Sequence, residues 1–173
     1  MAILLVIDLQ REFVKDQVGL EVYKRCVQYI NTCGHLYSQI LAPIYRNGEL
    51  RNMHMLTHWD EMLEIKKLDF KPNKLYLHSG YSAISDMKIP ANTQVDVIGF
   101  DTDACVLSHC FDLFNHDIPF KVLVDGCWSS GGAEMHEAGL KCMQRQFNRA
   151  VDTVSKLEDI CAAQSEVTES MKR

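Results

Sequence analysis

Three residues in this chain carry side chains that could act together on a carbonyl group: Asp8, His78 and Cys105. Asp8 follows the unbroken apolar run "AILLVI" (residues 2–7), where a carboxylate is costly to bury unless it has a partner or a task. His78 closes the short run "KLYLH" (74–78). Cys105 lies in "GFDTDACVLSHC", two residues after Asp103, where an apolar run passes into a helical pattern; the positive end of that helix is expected to favour its thiolate. Singly, Asp8 could cap a turn, His78 could be a hydrogen-bonded core residue and Cys105 could simply pack. Together they offer a nucleophile and its base.

Short apolar runs alternate with stretches of helical period, the pattern of a parallel sheet covered on both faces. Strands are expected at 2–7, 52–57 ("NMHMLT"), 74–78, 95–100, 120–125 and 149–154. Between them, Val22, Cys26, Ile30, Cys33, Leu36 and Ile40 recur at helical spacing, as do Val106, Cys110, Phe111 and Phe114, and His136, Leu140, Met143 and Phe147. The fold expected is a Rossmann-like three-layer α/β/α sandwich around a six-stranded parallel sheet. Ligands of such sheets bind beyond the carboxyl ends of the strands, where Asp8, His78 and Cys105 all fall.

With 173 residues, 47% of them hydrophobic, one domain over residues 1–173 is expected. The net charge of -5 includes no massed basic face, which disfavours nucleic acid and anionic membrane and suits a small-molecule substrate. Seven irregularly spaced cysteines form no CxxC pair, so Cys26, Cys33, Cys110, Cys142 and Cys161 are read as small buried hydrophobes in a reducing, cytoplasmic setting. Cys127, at the end of the fifth expected strand, is a minor rival nucleophile. The tail "AAQSEVTESMKR" is polar enough to fray.

These motifs resemble the isochorismatase-like cysteine hydrolases, which include nicotinamidases, carbamoyl-group amidohydrolases and isochorismatases. "LLVIDLQREF" is similar to the family's opening strand, "HSGYSAI" to a segment normally reading Lys, two residues, Tyr-Ser-Ala, "GFDTDACVLSHCFDLF" to the nucleophile strand and helix, and "VLVDGCWSS" with His136 to the next unit. The resemblance implies an Asp, Lys and Cys triad that cleaves an amide through a thioester. It also implies an oxyanion hole from the backbone amides of Ala104 and Cys105, and a cis peptide at Phe100–Asp101. Proteins of this kind are usually homo-oligomers.

The chain departs from that pattern where His78 occupies the lysine position. Lys74 shares the strand but lies roughly 13 Å away at about 3.3 Å per residue, too far to substitute. Histidine titrates near about 6.5, so a fixed cation becomes a titrating group. His78 could activate the thiol, or pair with the thiolate as imidazolium; otherwise the site has lost catalysis and the fold serves as a binding module. An isochorismatase-type vinyl-ether hydrolase, with Asp8 donating a proton, is a further alternative. "THWDEMLEIKK" reverses the Asp-x-His order of metal-dependent nicotinamidases, so no metal or other cofactor is expected at His58 and Asp60. Phe13, Trp59 and Tyr81 are candidate walls of a substrate pocket.

Overall fold

The computed structural model describes residues 2–46 and 66–170. Six parallel strands form one sheet in the order β3-β2-β1-β4-β5-β6. They are β1 (Ile3–Ile7), β2 (Gln39–Tyr45), β3 (Lys74–His78), β4 (Val95–Gly99), β5 (Phe120–Cys127) and β6 (Val151–Asp152). The helices are α1 (Gln17–Cys33), α2 (Ile84–Met87), α3 (Cys105–Asn115), α4 (Gly132–Phe147) and α5 (Leu157–Ser170).

Alternation along the strands divides the apolar residues into two cores, one on each face of the sheet. Leu4, Val6, Ala42 and Ile44 pack with Val22, Cys26 and Ile30 of α1 and Leu157 of α5. Ile3, Leu5, Ile7 and Leu41 pack with Val106, Cys110 and Leu113 of α3 and Met143 of α4. The result is the three-layer α/β/α arrangement. Strand order reverses between β1 and β4, the position where an open parallel sheet leaves a crevice beyond its carboxyl ends.

The second strand differs from the expected one. β2 is Gln39–Tyr45, "QILAPIY", and Ile40 belongs to it rather than to α1, which ends at Cys33. The expected strand at 52–57 lies outside the described residues. Pro43 sits inside β2 although both of its neighbours are strands, an unusual place for a residue with no N–H. The β1–β2 register ends just before it, at Leu5↔Leu41. β6 is shorter than expected at 149–154. The tail expected to fray is helical as far as Ser170, within α5.

The cysteines also differ in part from expectation. Cys26 and Cys110 are fully buried as expected, but Cys33 and Cys161 are joined in a disulfide that ties α1 to α5. Partners 128 residues apart give no local spacing signal. Among the described residues, no helix is long and apolar enough to cross a membrane.

Candidate active site

Asp8 leaves β1 with φ 46°, a left-handed conformation that turns its side chain out of the ladder. Its carboxylate is completely buried. Oδ1 accepts the Tyr45 N–H at 2.6 Å and faces His78 Nε2 at 2.9 Å. Oδ2 makes no full hydrogen bond among the described residues, which leaves it as the acceptor open to the Cys105 thiol. Burial first, then the charge of Asp8 and its acceptor oxygen, push that thiol well above the ordinary range. The expectation of a thiolate stabilised by the helix end is therefore corrected. Cys105 is 5% exposed and rests as a thiol, because desolvation and the neighbouring Asp8 carboxylate outweigh the backbone hydrogen bond from Asp101 that favours the thiolate.

His78 is held from both sides. Nδ1–H donates to the Gly80 carbonyl at 2.8 Å, and Nε2 faces Asp8 at 2.9 Å. A ring between two acceptors is satisfied only as imidazolium. Burial pulls its pKa down, but Asp8 and the Gly80 carbonyl outweigh burial and raise it above the ordinary value. Asp8 thus stands between His78 and Cys105, and neither ring nitrogen is free to take the thiol proton. Of the roles considered for this histidine, the geometry suits a buried cation beside the carboxylate and not a base acting on sulfur.

His109 is a residue that the sequence reasoning missed. It follows Cys105 by one helical turn, which on an apolar helix face looks like core packing. It is completely buried. Nδ1–H donates to the Cys105 carbonyl at 2.7 Å, and Nε2 accepts the Ala83 N–H at 3.2 Å. Its ring meets that of His78 edge to face at 5.5 Å.

The loop from β4 into α3 is shaped by two close approaches. Gly99 has φ 135°, and a Cβ there would lie 1.9 Å from the Ile7 carbonyl oxygen. A Cβ on Gly139 of α4 would lie 2.7 Å from the Asp103 backbone. The Phe100–Asp101 peptide bond is cis. Asp101 accepts the Ser130 N–H and hydroxyl, both at 2.6 Å, and burial pushes its carboxyl up to about 7. The Ala104 N–H donates to the Asp101 carbonyl at 3.1 Å, so this amide is already occupied by the turn and not open to an oxyanion. Cys105 N–H opens the helix, where no intrahelical acceptor exists.

The other candidates divide. Phe13 is only 1% exposed and backs Tyr45 edge to face at 6.3 Å, so it is core behind the site and not a pocket wall. Tyr81 is 44% exposed and lines a cavity of about 760 Å³ with Leu107, Phe111, Met135, Asp101 and Ala104. Trp59, His58 and Asp60 lie outside the described residues. Cys127 is buried, its thiol donates to the Leu123 carbonyl at 3.5 Å, and burial pushes it up to about 12. Among the described residues, no group of three or more His, Cys, Asp or Glu side chains is gathered to hold a metal ion.

Similar proteins share this architecture. An isochorismatase-like hydrolase from Alkaliphilus metalliredigens superimposes with a TM-score of 0.63 at 17% identity, covering 94% of this chain and 98% of that one. A nicotinamidase from Bacillus subtilis gives 0.66 at 15% identity, with coverages of 90% and 100%. A structure described as the MAR1 ribonuclease of Caenorhabditis elegans gives 0.63 at 18% identity, with coverages of 92% and 79%. Comparison with curated proteins returned no match. Residues 87–155, from the end of α2 through α3 and α4 to just past β6, match the isochorismatase domain model. The chain therefore has the fold of the isochorismatase-like hydrolases, with an isochorismatase domain recognisable across residues 87–155.

Proposed function

We propose that this protein is a cysteine hydrolase that cleaves the C–N bond of a small amide, with Cys105 as nucleophile, Asp8 as its base and His78 as a buried cation. The observation that carries this reading is the placement of one carboxylate, Asp8, against both His78 and Cys105 beyond the strand ends. Asp8 takes the thiol proton as sulfur attacks the carbonyl carbon. The C–N bond then breaks as the proton passes from Asp8 to the departing amine; water next attacks the thioester carbon while Asp8 accepts its proton, the C–S bond breaks, and Asp8 returns that proton to sulfur as the acid leaves.

Negative charge moves during the attack from Asp8 to the carbonyl oxygen, while His78 keeps its positive charge. A cation fixed beside the site lowers the cost of that movement in a low-dielectric interior. This is the electrostatic task a lysine would perform, and it explains how a histidine can stand in the lysine position. The adjoining cavity sets the apolar Leu107, Phe111 and Met135 beside the polar Lys15, Asp103 and Ser130, which suits a small acyl group with both apolar and polar parts.

Incubation with a panel of small amides, read by ammonia release and by intact mass, tests the proposal. Turnover together with an acyl adduct that disappears in Cys105→Ala is the expected result. Ligand binding retained in Cys105→Ala, with no adduct or turnover in the native protein, would instead identify a binding module.

A further inference from the structure

We propose that His109 is a positioning residue that fastens the nucleophile helix to segment 79–83, and so holds the Gly80 carbonyl against His78. The inference rests on the hydrolase reading above for its purpose, but its geometry stands by itself. His109 lies on α3 and reaches two other parts of the site at once. Its Nδ1–H donates to Cys105 O and its Nε2 accepts from Ala83. Ala83 is three residues from Gly80, whose carbonyl accepts from His78 Nδ1. A continuous path runs from the nucleophile's own carbonyl, through a buried imidazole and a short turn, to the cation.

The two histidines are distinguished by what faces them. His78 lies between two acceptors and is satisfied when doubly protonated; His109 lies between one acceptor and one donor and is satisfied only when neutral. Their rings touch at 5.5 Å, so a second positive charge at His109 would oppose the first. Burial, with His78 adding, takes His109 down to about 4, against Asp8 from β1, the Cys105 carbonyl and Asp112 of its own helix. The pair therefore holds one charge, placed on the ring that touches Asp8. Sequence position alone would not have separated these roles.

Imidazole nitrogen NMR on the native protein reads the arrangement directly. His109 is expected to remain neutral with the proton on Nδ1 from about pH 5 to 9, while His78 titrates above the ordinary histidine value. In His109→Phe the ring is kept but both hydrogen bonds are lost. The Gly80 carbonyl is then no longer held, and the His78 midpoint should fall by about 0.5 pH unit or more. In His109→Gln the side-chain carbonyl can reach the Ala83 N–H, and the midpoint should return most of the way to native. The proposal is overturned if His109 titrates within that range or carries its proton on Nε2. It is equally overturned if His109→Phe leaves the His78 midpoint unmoved, or if the Phe and Gln variants shift it alike. None of these readings needs a substrate, so a chain that hydrolysed no amide would refute the hydrolase reading without touching this one.

Discussion

Replacing Asp8 by Asn keeps the shape of the side chain and removes its charge, and the structure predicts effects of opposite sign on two reactions of the same sulfur. Turnover should fall by about 10²- to 10⁴-fold, the usual contribution of a positioned general base. Reactivity of Cys105 toward a small alkylating agent at mildly alkaline pH should rise, because Asp8 is, after burial, the main cause that keeps the thiol protonated. Stability should move as well. At 2.9 Å and an effective dielectric of about 20, the Asp8–His78 attraction is on the order of 6 kcal/mol. That is a ceiling, and breaking one side of a buried pair typically costs about 3–5 kcal/mol.

The sign with pH follows from His78, whose folded pKa is raised. Its contribution is fully present below the unfolded value of about 6.5 and is lost as pH rises through the folded one. The stability gap between native protein and Asp8→Asn should therefore be widest in mild acid and narrow toward pH 9. Urea denaturation across that range measures the gap, and iodoacetamide kinetics with mass spectrometry measure the thiol. An alkylation rate in Asp8→Asn that is unchanged or slower at every pH would show that Asp8 does not govern Cys105, and the proposed proton path would fall with it.

Other expectations are more local. His78→Gln should lower turnover by at least about tenfold through loss of the buried cation, whereas Cys127→Ser should leave turnover and adduct formation unchanged; an adduct mapped to Cys127 would contradict this. Gly99→Ala should destabilise the fold by at least about 1–3 kcal/mol in thermal or urea unfolding, since its φ of 135° and the 1.9 Å approach to Ile7 both exclude a Cβ. Reduction of Cys33–Cys161, which closes a loop of 128 residues, should lower stability by about 4–5 kcal/mol by chain entropy, measured as a shift in urea midpoint with and without reductant.

β1, β3, β4 and β5 were legible because each is a compact apolar run ending where the sheet ends. Asp8, His78 and Cys105 were legible for the same reason, since strand ends of a parallel sheet gather whatever follows them. β2 was hidden by two features that act together. Ile40 continues the helical spacing of α1, and Pro43 argues against any strand with two neighbours. His109 was hidden by its place on a buried helix face, where type and spacing do not tell a packed ring from one that makes two specific hydrogen bonds. The resting thiol could not be read either, because burial and the approach of Asp8 are properties of the assembled site. A helix start in the sequence suggests only the dipole.

Pro43 has a consequence for how β1 and β2 are joined at their carboxyl ends. With no N–H to give, it interrupts the β1–β2 ladder, and beyond it the Tyr45 amide donates to two side chains, Asp8 Oδ1 at 2.6 Å and Gln10 Oε1 at 2.8 Å, instead of a main-chain carbonyl. One rung of the scaffold is thus shared between an ionisable group and a neutral amide. The bond that closes the carboxyl end of the β1–β2 seam therefore rests in part on a carboxylate. In the proposed hydrolysis, where Asp8 carries a proton in transit, the nitrogen shift of Tyr45 would follow the charge on that buried carboxylate.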